Sequence, residues 1–289
     1  MEIHGGYYGN QSRQFPRNCS PGAGVLYGIG RRKAEGKGPR ENQLLITKMK
    51  KASIEKATDF GEAIAIFAGD LCFPFAIESL NQSGFSPELI IKALHAFSEG
   101  FREVIDGVIL ETGDAILNDG NEETYLKMIN FKTGALIRKA VQIGAILGNG
   151  NNSQIKALTS YCDGIGMAFQ IQDDLLGVFG DPEELGKPVG SDIRENKNTI
   201  LKIHALTKGS EKDIKRLKEL FGKEDIDQKE LQEVQKIFTT TGAVDRALKM
   251  INEATENAIK ALDLAKPPFI ETAKNQLISL AKFLVERKK

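Results

Sequence analysis

Two adjacent carboxylates, Asp173 and Asp174, stand in a mostly apolar stretch, with the amide of Gln170 one turn earlier. On a helix, residues 170, 173, 174 and 177 share one face, and Ala168, Ile171, Leu175 and Val178 fall on the opposite one. Like charges this close repel unless a cation lies between them and a partner. Hard oxygen ligands without His or Cys suit Mg²⁺, which keeps several waters and binds substrate phosphates. An Asp-Asp pair alone is more often a solvated face or a cap. Asp181, followed by Pro182, Glu183 and Glu184, reads in that way, as an N-cap with proline at N1 and acids in the first turn. Two lysines further along the chain give the pair more weight. Lys187 lies in a loop between glycine and proline, and Lys197 is placed at the start of the next helix. A carboxylate-bound cation on one side and two ammonium groups on the other make a clamp for a diphosphate.

The elements that position these residues are helical. Tyr125–Leu147, Ile155–Val178 and Thr241–Ala265 carry apolar residues at three- and four-residue steps. In the last run the stripe is Val244, Leu248, Ile251, Ala254, Ala258 and Leu262. Ser210, ahead of Glu211, Lys212 and Asp213, reads as an N-cap. Gly150, the Gly186-Lys187-Pro188-Val189-Gly190 segment and Pro267-Pro268 punctuate. No run alternates with period two, and no internal repeat is present. The expected fold is all-α. The most apolar segment, Ala63 to Leu80, is interrupted by Asp70 and Glu78, so it is expected to be a buried core helix and not a membrane span.

The 289 residues, 41% of them hydrophobic, are enough for one large core, and the zero net charge offers no global field for nucleic acid or an anionic membrane. Cys19, Cys72 and Cys162 form no CxxC pair, which suggests reduced thiols and a cytoplasmic setting and argues against a disulfide framework or zinc site. No basic n-region with an apolar stretch opens the chain. Residues 1–58 differ from the rest: eleven Lys and Arg stand against four Glu and no Asp, a net of +7 that leaves −7 for 59–289. That segment is aperiodic and rich in glycine, so 1–58 is expected to be a basic, disordered leader and 59–289 the helical domain. A nucleic-acid arm is the weaker reading of the same charge.

Phe-Gln-x-x-Asp-Asp followed by Gly-Lys-Pro-x-Gly-Ser-Asp-x-Arg-Glu-x-Lys-x-Thr resembles the second aspartate-rich motif of the trans-isoprenyl diphosphate synthases. Gly177 stands where the usual third aspartate would be, as in archaeal-type members. Gly61 to Asp70 is similar to the family helix ending in Ala-Gly-Asp, a segment read as tight helix packing with no catalytic part. Lys132-Thr133-Gly134 is similar to the family's Lys-Thr-Gly helix. The resemblance covers Asp59 to Lys289. It implies an isoprenoid synthase-type helical bundle around a central cavity, with the N-terminal helices missing. It implies that Asp173 and Asp174 hold Mg²⁺ and that Lys132, Lys187 and Lys197 grip the allylic diphosphate. Lys132, Thr133 and Gln170 would be the catalytic residues, Thr133 and Gln170 lying beside the developing allylic cation. The implied partners are isopentenyl diphosphate, an allylic diphosphate and a second copy of the chain in a homodimer, without nucleic acid or stable membrane insertion. The implied reaction is prenyl transfer making a short-chain isoprenyl diphosphate.

The family's Gly-Gly-Lys-Arg segment and its first aspartate-rich motif are not found ahead of the Gly-Glu-Ala-Ile helix. Half of the metal clamp is therefore missing, the chain as written is expected to turn over slowly, and a frameshift or misassigned start is the favoured origin of the leader. Two alternatives stand beside it: a non-catalytic family-derived subunit that pairs with a complete synthase, and a terpene cyclase. Gly-Lys-Pro-x-Gly-Ser-Asp speaks against the cyclase.

Overall fold

The computed structural model describes residues 54–117, 120–181 and 189–286. Lys187, the proposed cap Asp181-Pro182 beyond Asp181 itself, and nearly all of the basic leader lie outside them. No described residue is in a strand. Contacts divide the chain into two units, 1–82 and 83–289.

The first unit contributes one described helix, α1 (Ile54–Asn81), with Pro74 inside it. The expectation of a buried helix at 63–80 is not met. Ile66 is 64% exposed, and Phe67, Leu71 and Phe75 are exposed with it. Among the described residues α1 is the one element of the first unit, so none of them in that unit is available to cover its apolar side chains. Phe60–Asn81 is by length and composition apolar enough to cross a bilayer. Gly69 meets open space, so the tight packing expected at Ala-Gly-Asp is not seen among the described residues.

The second unit runs α2 (Pro87–Leu117), α3 (Glu122–Ile129), a π-helical turn (Asn130–Gly134), α4 (Ala135–Leu147), α5 (Asn152–Phe179), α6 (Ser191–Arg194), α7 (Ile200–Lys208), α8 (Glu211–Leu220), α9 (Gln228–Thr240), α10 (Ala243–Ala261), a 3₁₀ turn (Leu262–Leu264) and α11 (Glu271–Glu286). Side chains satisfy the free amides at several helix starts. Reciprocal capping boxes begin α3 (Asn121/Thr124), α5 (Asn151/Gln154), α8 (Ser210/Asp213) and α9 (Asp227/Glu230). The cap at Ser210 is therefore as expected.

Helix α5 is the axis of this unit. Its apolar face, with Ala168, Ile171 and Val178, is buried with Ile200 and Leu201 of α7, Leu217 of α8, Phe238 of α9 and Ile251 of α10. Each of these side chains larger than alanine contributes about 1.5–3 kcal/mol on leaving water. Its N-terminal half joins a second cluster, where Tyr161, Cys162 and Ile165 meet Ala258 and Leu262. The stripe on α10 is confirmed except at Leu248, which is 44% exposed. The apolar face of α5 thus fixes where its polar face, carrying Gln170, Asp173 and Asp174, must point.

The rod from Glu122 to Leu147 is not one α-helix. The π turn inserts extra backbone at Asn130–Gly134, which holds Lys132 and Thr133. Such turns are often found at functional sites. Helix α2 crosses this turn so closely that a Cβ on Gly107 would lie 2.3 Å from the Lys132 backbone nitrogen. Gly107→Ala must therefore displace backbone. It is expected to cost about 1–3 kcal/mol, read as a lower denaturation midpoint. A midpoint equal to wild type would show that the turn has slack.

Candidate active site

Helix α2, α3, the π turn, α5, α6 and the loop before α7 surround a cleft of about 440 Å³. Its walls include Lys132, Gln170, Asp173, Asp174 and Lys197, so five of the residues expected from sequence converge. Thr133 is held at their edge, its hydroxyl donating to Gln170 Oε1 at 2.6 Å. Lys197 precedes α7 instead of starting it, because Thr199 takes the N-cap.

Asp174 is the most enclosed member of the group, 6% exposed. It accepts hydrogen bonds from the Tyr125 hydroxyl at 2.7 Å and from Gln170 Nε2 at 2.9 Å. Burial pushes its carboxyl pKa up to about 7, against the two hydrogen bonds and with help from the nearby charges of Asp192 and Asp173. Burial, and then the Asp174 charge, likewise push the Tyr125 hydroxyl well up, so it stays a donor.

The cleft has members that sequence reasoning did not assign. Glu111 of α2 accepts from Lys132 Nζ at 2.6 Å and sets that ammonium at the rim. Asp192, buried at the start of α6, pairs with Lys197 Nζ at 2.9 Å. Burial alone would lower the Lys197 pKa, but Asp192 and Glu195 reverse this and raise it, so the lysine is a permanent cation. A Cβ on Gly177 would meet Asp192 Oδ2 at 2.7 Å. Asp192 therefore occupies the space that a side chain at 177 would need. The chain returns to α5 at that point, since the Gly190 amide donates to the Gly177 carbonyl at 3.0 Å.

The charges of the cleft do not balance. Among its described walls, six carboxylates (Glu111, Asp114, Asp173, Asp174, Asp192, Glu195) face two lysines, Lys132 and Lys197. Such a surface repels a diphosphate unless cations intervene. No three His, Cys, Asp or Glu side chains among the described residues form a complete metal cage. The donor set nevertheless fits Mg²⁺, an ion held through one or two carboxylates with water and phosphate completing its shell.

Residues 50–238 match the polyprenyl synthetase family. The chain belongs to the polyprenyl synthetase family. Among its relatives, a short chain isoprenyl diphosphate synthase of Methanothermobacter thermautotrophicus is 39% identical over 228 residues, covering 79% of this chain and 68% of that protein. A geranylgeranyl diphosphate synthase of Saccharolobus solfataricus is 34% identical over 235 residues, covering 80% and 69%. Among solved structures, the geranylgeranyl pyrophosphate synthase of Corynebacterium glutamicum, complexed with isoprenyl diphosphate and magnesium, superposes with a TM-score of 0.76 at 31% identity, covering 83% of this chain and 67% of that one. This polyprenyl synthetase thus has the helical isoprenoid synthase fold expected from its motifs.

Proposed function

We propose that the protein is a Mg²⁺-dependent prenyltransferase that condenses isopentenyl diphosphate with an allylic diphosphate. The observation that carries this is the acidic cleft in which Asp173, Asp174, Lys132 and Lys197 converge. In the reaction the allylic C–O bond breaks and diphosphate leaves. The isopentenyl double bond forms the new C–C bond to the allylic carbon, and a proton is then lost. Bound Mg²⁺ would neutralise the charge growing on the leaving diphosphate.

Asp173 and Asp174 are the residues that would hold the ion. Lys132, aimed by Glu111, and Lys197, aimed by Asp192, grip the diphosphate oxygens from two different elements of the cleft. We assign Lys187 to the same task on its motif alone. Thr133 and Gln170 are catalytic in a different sense. Their dipoles are tied to each other and to Asp174, so they offer the allylic cation fixed polar groups without a free nucleophile. Closing the cleft around the substrate would exclude water from that cation.

The test is incorporation of labelled isopentenyl diphosphate into an acid-labile product, with and without Mg²⁺, in the wild type and in Asp173→Ala. Metal-dependent product in the first and none in the second is expected. Product that persists in Asp173→Ala would overturn the assignment.

The same reading includes a homodimer in the cytoplasm. Ile91, Ile109 and Ile116 on α2 are exposed, which supports a second copy as their cover. The free thiols of Cys72 and Cys162 support a reducing compartment. Asp70 and Glu78 on α1 support cover by protein instead of lipid. Light scattering at micromolar concentration is expected to give twice the chain mass, and a monomer mass would count against the dimer.

A further inference from the structure

Lys202 lies on the first turn of α7, 3% exposed, outside the walls of the cleft. The place is unfavourable for a cation. Its neighbours Ile200, Leu201 and Ala205 are fully buried. A helix N-terminus carries partial positive charge. Burial pushes the lysine's pKa down to about 8. An apolar side chain at 202 would avoid these costs, so the retained ammonium needs an account.

Its hydrogen bonds supply one. Nζ donates to the Asn196 backbone carbonyl at 3.3 Å, to Asn196 Oδ1 at 2.8 Å and to Asn198 Oδ1 at 2.7 Å. An ammonium has three N–H groups, and these oxygens of the Asn196–Asn198 turn are among the acceptors facing it. The Phe221 ring lies against the same ammonium, 4.7 Å from centroid to nitrogen. The residues so held flank Lys197 on both sides. Asn196 has φ of 55°, in the left-handed region that asparagine tolerates better than other non-glycine residues. Asn198 passes the restraint on, donating from Nδ2 to the Asp114 carbonyl of α2 at 3.0 Å. Glu111, one turn earlier on α2, is the partner of Lys132.

We propose that Lys202 is a positioning residue: its buried ammonium holds the Asn196–Asn198 turn and ties it to α2, so that Lys197 and Lys132 are presented to one diphosphate from fixed places. It does not touch the substrate. The inference rests on the assignment of Lys197 as a diphosphate ligand, and the experiment separates the two.

The full chain is titrated calorimetrically with inorganic diphosphate in saturating Mg²⁺, as wild type, K197M, K202M and the double variant, with melting temperatures alongside. K197M is expected to bind about tenfold more weakly, the loss of one charge-assisted contact. K202M is expected to lose a comparable factor and also to melt at a lower temperature, since methionine leaves the Asn196 and Asn198 oxygens without their donor, so binding is read well below both melting temperatures. A merely structural lysine would lower the melting temperature and leave the affinity of the folded protein unchanged. The double variant is expected to lose less than the product of the two single losses, because both changes act in part through the Lys197 contact. Weak K197M beside wild-type binding in K202M overturns the proposal and leaves the site assignment standing. Wild-type binding in K197M overturns both. Should K202M not fold, Asn198→Ala cuts the tie to α2 while keeping the lysine. It is expected to weaken binding about threefold, and unchanged affinity there overturns the proposal.

Discussion

Asp174→Asn is expected to weaken binding of magnesium diphosphate by about a hundredfold and at the same time to make the metal-free protein more stable at pH 8. The two effects have one origin. Asp174 is buried beside Asp173 and Asp192, and its carboxyl titrates at about 7 instead of the ordinary 3.8. A carboxylate whose folded pKa is raised binds more protons in the native than in the unfolded state between those two values. Its protonation stabilises the fold below pH 4, and that contribution is lost as pH rises through 7. Asparagine has the same shape without the charge. Its carbonyl can still accept from Tyr125, and Gln170 can turn over, since the Thr133 hydroxyl both donates and accepts. Melting temperatures between pH 5 and 8.5 should therefore fall through about pH 7 for wild type relative to the variant. A wild type and variant with parallel curves would show that Asp174 is not the strained group. The same proton competes with the cation, so wild-type affinity for Mg²⁺ should decline below pH 7.

Gly177→Asp, which restores the third aspartate usual in the family, is expected to weaken diphosphate binding by at least about tenfold instead of improving it. The new Cβ would stand 2.7 Å from Asp192 Oδ2, and the new carboxylate would be forced against it. Asp192 must then move, and Lys197 loses the partner that aims it. Gly177→Ala separates the steric part from the charge and should do a large share of the damage. Tight binding in Gly177→Asp would mean that Asp192 can vacate the place at no cost, and that its pairing with Lys197 does not matter.

Much of this was legible in the sequence because helices report their faces through spacing. Gln170, Asp173 and Asp174 share one side of α5, and Ala168, Ile171 and Val178 the other, as the 3.6-residue period requires. The Ser210 cap was legible for a similar reason, since its partner Asp213 is three residues away. What was not legible depends on residues brought together from far apart. Tyr125, Glu111 and Asp192 are unremarkable in their own segments and become part of the cleft only when α2, α3 and α6 close on α5. The π turn leaves no composition signature, because one extra residue shifts the phase of a helix without changing its residue types. The exposure of α1 was missed because an apolar run shows that cover is needed but not what provides it.

That π turn also has a mechanical meaning. On its N-terminal side Tyr125 and Ile129 are packed into one apolar cluster, and on its C-terminal side Ile137 and Val141 lean on another. The extra residue acts as a set twist in the rod: it resets the helical phase, so the two halves can each face their own cluster. With α2 pressed against the backbone at Lys132, the twist is clamped from outside, and Lys132 and Thr133 take their heading toward the cleft from it.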